Sequence, residues 1–420
     1  MPGLNELIDM QKGAFMVNIA VLGYGTVGSG VVEVLNINGD SISKRCGHEI
    51  NVKYVLDLRE FPGDPIQEKI VHDYATIIND PDVKIIVEVM GGVEPAYTFV
   101  KEAISKGKSV CTSNKELVAK HGAELLELSK QKSVNFLFEA SVGGGIPIIR
   151  PLNQSLTADE IEEITGILNG TTNYILTKMS GEGSDFDTVL KEAQQMGYAE
   201  RNPAADIEGF DACRKIAILS SLAFGMQVDF EDIYTEGITK ITDIDIKYAK
   251  TMGASIKLLG TSKKEQDHVY AMVAPMLIKP THPLFSVNNV FNGIFVRGNV
   301  IGDVMFYGSG AGKLPTASAV VADVVDAAKH IGTNIMTLWS SKKLKLSDMK
   351  YSKHKYFVRL AGNTDEIKEQ AALLFGQVEE VKATDVPDEY AFITMCMSEE
   401  SYQEKAAKLS NLVSMIRVMF

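Results

Sequence analysis

Four cysteines, Cys46, Cys111, Cys213 and Cys396, are too few and too widely spaced for a disulfide framework, and no C-x-x-C pair opens a zinc site. The chain reads as reduced. H-E-x-x-H and paired-histidine patterns are missing as well, which removes the common transition-metal ligand sets. No apolar run reaches the roughly 18 residues of a membrane span, and the opening MPGLNELIDMQKGAF has no apolar stretch behind a basic start. Neither a membrane protein nor a secreted one is expected, so the location inferred is cytoplasmic. Basic residues are in deficit, 42 Lys and Arg against 54 Asp and Glu, for a net charge of −12. Such a surface repels polyanions on average, which excludes nucleic acid as the natural partner.

The composition that remains is that of a globular protein, 45% hydrophobic and 23% charged over 420 residues. At about 150 residues per domain this length predicts two or three domains. Apolar runs at 17–22, 52–56, 84–90 and 109–112 alternate with helical stretches such as 97–106 and 117–130. Alternation of that kind predicts a parallel, doubly wound α/β sheet, a Rossmann dinucleotide-binding domain over residues 1–135. From 136 to 310 the pattern predicts a second α/β domain, to which the resemblance drawn below assigns substrate binding and dimerisation. Residues 314–331, LPTASAVVADVVDAAKHI, form a helix of small apolar residues, and a segment 311–338 is expected to return to the first domain. Residues 339–354 are Lys- and Ser-rich and read as a linker. Beyond it, strand-like 356–360, helical 365–374, strand-like 377–383 and 391–397, helical 401–412 and strand-like 414–419 give the ferredoxin-like order βαββαβ over 355–420.

Gly23, Gly25 and Gly28 match G-x-G-x-x-G between a strand and a helix. Only glycine allows the tight turn and the close backbone approach to a pyrophosphate, whose charge then rests on the helix N-terminus. The bland alternative is a glycine turn that packs helix on strand and binds nothing. Thr26 and Val27 within the turn, and Met90 and Gly91 after the third run, complete the candidate cofactor contacts. Asp57 ends the second run and Arg59 follows. An acid there favours the ribose 2′-hydroxyl of NAD and an arginine the 2′-phosphate of NADP, so the preference stays open. Gly308 to Leu314 imitates a phosphate-binding P-loop, but its spacing is wrong and Leu314 stands where Ser or Thr must bind Mg²⁺.

The densest cluster is GYAERNPAADIEGFDACRK, 197–215. Asn202-Pro203 ends a helix, a new one starts near Gly209, and Asp211 and Lys215 then lie at i and i+4 on one face. That face continues through Ile218, Leu219 and Leu222, so the pair points into a covered region, where burial favours a proton-transfer lysine over an ordinary surface ion pair. Lys115 follows the fourth run, at the strand end that faces the cofactor crevice in such sheets. Glu200, Asp206 and Asp211 suit a substrate that carries an ammonium group. Cys111 lies inside a strand with no histidine nearby and reads as buried filler, not a nucleophile.

These residues resemble homoserine dehydrogenases over nearly the whole chain. The run from Ala193 through Gly197, Pro203, Asp206, Gly209 and Asp211 to Lys215 matches that family's signature, and GILNGTTNYIL, EASVGGGIP and the segment from Gly310 to Ala317 resemble its other blocks. The resemblance implies NAD- or NADP-dependent interconversion of L-homoserine and L-aspartate 4-semialdehyde, on the route to threonine, isoleucine and methionine. It makes Lys215 the proton donor or acceptor, with Lys115 assisting at the nicotinamide. Glu200 and Asp211 would hold the substrate, with Gly197 contributing backbone and Asp206 supporting them, and Gly312 would close over the cofactor. It further implies a monovalent cation, Na⁺ or K⁺, at Glu139 and the carbonyls of Val142, Gly144 and Ile146, and a homodimer or higher homo-oligomer built through the middle domain. The C-terminal domain resembles the amino-acid-binding ACT module that confers threonine feedback. Ala361-Gly362-Asn363-Thr364-Asp365 replaces that module's Asp-x-Pro-Gly turn, so weak or no threonine inhibition is expected. Two other readings compete: an oxidoreductase for another amino-alcohol or semialdehyde, and a silent amino-acid sensor that would have no chemical need of both lysines.

Overall fold

The computed structural model describes residues 16–420. They divide into two compact units, one made of residues up to 155 with 225–227 and 311–342, the other of 156–224, 228–310 and 343–420.

In the first unit six strands form one sheet in the order Ile70–Val71, Glu49–Leu56, Met16–Leu22, Val83–Glu88, Ser109–Thr112, Phe136–Leu137. All neighbouring pairs are parallel. Residues 19–22 are buried on both faces, which is why this strand reads as an unbroken apolar run instead of an alternating one. Val31 and Leu35 of the helix Thr26–Cys46 join Ile19, Val21, Ile85 and Val87 in one core. The helix Lys313–Lys329 adds Ala317, Val320, Val324 and Ala327 to the same core. Small residues are required where these two helices meet: a Cβ on Gly30 would lie 2.8 Å from the Lys313 carbonyl oxygen and 3.0 Å from Ala317 Cβ. Each fully buried Val or Leu there contributes about 1.5–3 kcal/mol.

The second unit is built on a mixed sheet whose main path runs Gly302–Ser309, Phe291–Gly298, Ile161–Ile167, Ser255–Glu265, His268–Ile278, Leu412–Val418, Lys353–Ala361, Glu389–Thr394, Val378–Val381. The helix Phe210–Phe224 lies close on this sheet where one strand position, Gly260, lacks a side chain. A Cβ added at Gly260 would lie 3.3 Å from Ile216 Cβ on the helix.

The last four strands, with the helices Asp365–Phe375 and Glu399–Ala406, form the βαββαβ module expected from the sequence. Its own core is Tyr356, Val358, Leu360, Ala371, Phe375, Phe392 and Tyr402. The second helix is shorter than read from the sequence and ends at Ala406. It starts early because Ser398 accepts from the Ser401 N–H and Glu399 and Glu400 fill the first turn, beside the positive end of the helix dipole. The module shares a sheet with the strands before it: Met276 pairs with Arg417 and Leu277 with Val418 in a parallel ladder.

Candidate functional site

The three glycines of the first turn have three different reasons to be glycine. Gly23 has φ +97°, a left-handed conformation, while its N–H donates to the Leu56 carbonyl at 2.8 Å. Gly28 lies so close to Gly23 that an added Cβ would fall 1.9 Å from the Gly23 oxygen. Gly25 has nothing within 4 Å of an added Cβ, so nothing in the protein demands a glycine there. It caps the helix Thr26–Cys46, which has no side-chain cap and no acidic residue in its first turn. That end suits an anion, and a glycine with open space in front of it suits one that comes very close.

Asp57 and Arg59, which point to opposite cofactors when read separately, are one ion pair. Asp57 accepts from Arg59 Nε and Nη2, both at 2.9 Å, from the Arg59 N–H at 3.0 Å and from the Tyr24 N–H at 2.8 Å. The guanidinium is the main cause that holds this carboxyl far below the ordinary carboxylate range. At the neighbouring strand end a residue absent from the sequence-based set organises the loops. Glu88 is fully buried and accepts from the Met90 N–H at 2.8 Å and from Thr112 Oγ1 at 2.6 Å. Burial pushes its carboxyl up despite these bonds. Asn114 donates to the Gly92 carbonyl at 2.6 Å and caps the helix Lys115–Gln131, so half-buried Lys115 opens that helix beside the Met90–Gly91 turn. Gly312, at φ +127°, caps the helix Lys313–Lys329.

In the second unit, Asp211 and Lys215 form the expected pair one turn apart, with Nζ to Oδ2 at 2.7 Å and side chains 7% and 11% exposed. Lys215 also donates to the Leu168 carbonyl at 2.8 Å. An ammonium has three N–H bonds, so two of these are accounted for. Asn169 joins the carboxylates: its Nδ2 donates to Asp206 at 2.7 Å and to Asp211 at 2.9 Å. Its Oδ1 caps the helix Gly170–Glu182 by accepting from the Thr172 N–H. In the sequence Asn169 is visible as an Asn one residue before a helix start, a recognisable cap signal, but its meeting with the two carboxylates is not. Glu200 takes no part in this network; it is exposed, on a loop tied to the helix start by the Thr171 hydroxyl at the Tyr198 carbonyl. Gly197 lies on that loop at φ +76°.

The loop 139–147 belongs to the first unit. Glu139 is buried and its carboxylate accepts the N–H groups of Ile148, Ile149 and Arg150 at 2.6–2.8 Å. Its side chain is therefore committed to the chain itself. Gly144 turns at φ +56°, and the loop closes so tightly that a Cβ on Gly143 would lie 2.5 Å from the Ile146 carbonyl oxygen. Cys111 is completely buried, and burial drives its thiol well above the ordinary range, as filler and not a nucleophile requires.

Residues 23–139 match the family model of the homoserine dehydrogenase NAD-binding domain, and residues 147–325 match that of homoserine dehydrogenase. The homoserine dehydrogenase of Synechocystis sp. is 48% identical over 317 residues, covering 74% of this chain and 73% of the relative. The chain belongs to the homoserine dehydrogenase family. The crystal structure of a homoserine dehydrogenase from Thiobacillus denitrificans superposes with a TM-score of 0.90 at 35% identity, over 97% of this chain and 99% of that one. A hyperthermophilic archaeal homoserine dehydrogenase in complex with NADPH gives a TM-score of 0.64 at 29% identity, over 74% and 97%. As a homoserine dehydrogenase the protein is an NAD(P)-dependent oxidoreductase acting on a small molecule, and the reading as a silent sensor falls away. Among the described residues no helix is long and apolar enough to cross a membrane.

Proposed function

We propose that Lys215 moves the proton in the interconversion of L-homoserine and L-aspartate 4-semialdehyde, with Asp211, Asp206 and Glu200 receiving the substrate. The observation that carries this reading is the buried Lys215, held by Asp211 and the Leu168 carbonyl with one direction at Nζ left for the substrate, an N–H when charged and the lone pair when neutral. In the oxidative direction a neutral Lys215 takes the hydroxyl proton, directly or through a water, and becomes the ammonium as hydride leaves C4 for the nicotinamide; the reverse step returns both. The Asn169 bridge keeps Asp206 and Asp211 oriented toward the ammonium group of the substrate. Gly197 contributes backbone on the same side.

Gly23, Gly25, Thr26, Val27 and Gly28 receive the pyrophosphate, and Met90, Gly91, Lys115 and Gly312 complete the cofactor contacts. The Asp57–Arg59 pair decides between NAD and NADP: ionised Asp57 repels a 2′-phosphate, and Arg59 serves one only when it leaves Asp57.

A monovalent cation fits the loop after Glu139 in kind. Such an ion takes hard oxygen ligands, and a glycine turn beside a Glu139 carboxylate that is already spent on backbone N–H groups offers the carbonyls of Val142, Gly144 and Ile146 together with that of Glu139. When bound, the ion would stiffen the loop electrostatically. The exposed Phe291, Val300, Ile301, Met305 and Tyr307 on the hairpin of the second unit support a homodimer or higher homo-oligomer. The ACT-like module responds weakly or not at all to threonine. In its 361–365 turn a Cβ on Gly362 would lie 2.6 Å from Ile367, which supports a turn closed on its own helix. The enzyme is cytoplasmic.

The test is Lys215→Met with cofactor binding followed by nicotinamide fluorescence. Homoserine oxidation should vanish while cofactor affinity stays within about twofold, the signature of a lost transition-state contact. Retention of most of the turnover would overturn the assignment.

A further inference from the structure

The ACT-like module reaches toward the substrate residues through one buried arginine. Arg417, 2% exposed, donates from Nε and Nη2 to Glu399 at 3.1 and 2.8 Å, and from Nη1 to Glu236 at 2.9 Å. The first acid belongs to the module and the second does not. Glu236 stands in a short segment, 234–238, laid along the strand His268–Ile278: Tyr234 and Thr235 pair with Met272 and Val273, and the Glu236 N–H donates to the Val273 carbonyl at 2.8 Å. The Arg417 guanidinium lies 5.0 Å from the Tyr234 ring, and the Tyr234 hydroxyl donates to Glu236 at 3.1 Å.

The other side of this segment rests on the turn 207–209. The Ile238 N–H donates to the Ile207 carbonyl at 2.8 Å. A Cβ on Gly237 would fall 2.1 Å from that same oxygen and 2.5 Å from Glu208 Cα, so the two backbones touch with no side chain between them. A Cβ on Gly209, at φ +87°, would lie 3.2 Å from Thr235. The turn 207–209 joins the helix Ala204–Ile207, which carries Asp206, to the helix Phe210–Phe224, which carries Asp211 and Lys215.

We propose that Arg417 is a positioning residue for homoserine binding: through Glu236 it seats the segment 234–238 on the turn 207–209, and so sets how Asp206 and Asp211 stand relative to one another. Arg417 touches neither carboxylate. Its effect runs through a backbone contact with no slack, because interfaces packed this closely shift as units instead of deforming locally. The buried guanidinium ties the segment firmly, since an unpartnered charge there is strongly unfavourable. The ACT-like module thereby supports substrate binding whether or not it takes an effector. The inference rests on Asp206 and Asp211 as the residues that hold homoserine.

Glu236→Gln in the full-length enzyme keeps the shape and weakens the tie; Arg417→Lys loses the fork. A control is Arg359→Lys, because Arg359, 1% exposed, is the module's other buried arginine and bonds Asp245 at 2.6 Å and Glu389 at 2.7 Å, outside the segment 234–238. Steady-state constants for homoserine and cofactor are measured with the melting temperature of each variant. Glu236→Gln should raise the homoserine KM about tenfold with kcat and cofactor KM within about twofold, while Arg359→Lys lowers the melting temperature and leaves the homoserine KM in place. An unchanged homoserine KM in Glu236→Gln, or an equal rise in Arg359→Lys, overturns the inference. Asp211→Asn serves as the reference. If it leaves the homoserine KM unchanged, the substrate-site reading fails and the inference goes with it. If it raises KM while Glu236→Gln does not, only the inference fails.

Discussion

Gly25→Ala separates binding from folding at the cofactor turn. At φ −85°, ψ −153° an alanine is sterically admissible, and the new methyl finds nothing within 4 Å. An alanine caps a helix less well than glycine, by up to roughly 1 kcal/mol, and reduced freedom of the unfolded chain returns about 0.4–1 kcal/mol, so the stabilities nearly cancel. A pyrophosphate drawn against this backbone would meet the methyl, and overpacking of that kind costs about 1–3 kcal/mol. At 1.4 kcal/mol per tenfold, the cofactor KM should rise by roughly 5- to 150-fold. Thermal melting should move by only a few degrees. Gly28→Ala gives the opposite balance, because its methyl 1.9 Å from the Gly23 oxygen forces helix and turn apart with or without cofactor. A Gly25→Ala enzyme with cofactor KM within twofold of the parent, or one that melts as early as Gly28→Ala, would show that Gly25 does not serve a close-lying pyrophosphate.

Asp57→Asn should release Arg59 and remove a charge that opposes a 2′-phosphate, shifting the ratio of kcat/KM toward NADP by about tenfold, near the worth of one charge-assisted hydrogen bond; a shift toward NAD would contradict it. The same residue carries a pH signature. Its carboxyl is held below the ordinary range by Arg59, so its share of stability is present above about pH 4 and lost as pH falls, and acid unfolding of Asp57→Asn should lack that component. Lys257 is 1% exposed and burial lowers it to about 8, with Val287, Asn173 and Asn288 accepting from its Nζ. Between pH 8 and about 10.4 the unfolded chain holds this proton more tightly, so stability relative to Lys257→Met should rise with pH in urea titrations; parallel curves would contradict this. Asn169→Ala removes the shared donor between Asp206 and Asp211 and should raise the homoserine KM by about tenfold or more while leaving the cofactor KM unchanged, since a lost hydrogen bond to a charged group costs about 1.5–3 kcal/mol.

Where one period governs the chain, the sequence was readable. The run 17–22 is apolar because both faces of its strand are covered, and the i, i+4 spacing of Asp211 and Lys215 places them in contact on a helix. What escaped notice depends on residues brought together from far apart. Asn169 meets Asp206 and Asp211 across 37 and 42 positions, and Glu88 reaches Thr112 across 24. Nothing in local spacing encodes those meetings. The Asp57–Arg59 pair is a subtler case, since taken singly the two residues point to opposite cofactors. Two residues apart at a strand end, they bond to each other first, and neither shows its free preference. The junction of the ACT-like module with the preceding sheet was equally hidden, because two rungs of a parallel ladder leave no mark in the order of strands and helices.

The proposed reaction is oxidation of L-homoserine by a nicotinamide cofactor with Lys215 taking the proton. The most direct test follows NAD(P)H absorbance with L-homoserine for the parent and Lys215→Met, each with NAD and with NADP, after cofactor binding has been verified for both. Homoserine-dependent reduction is expected in the parent and a loss of at least roughly 10²-fold in the variant, the lower range for a general acid–base group. Equal rates in the two proteins would contradict it.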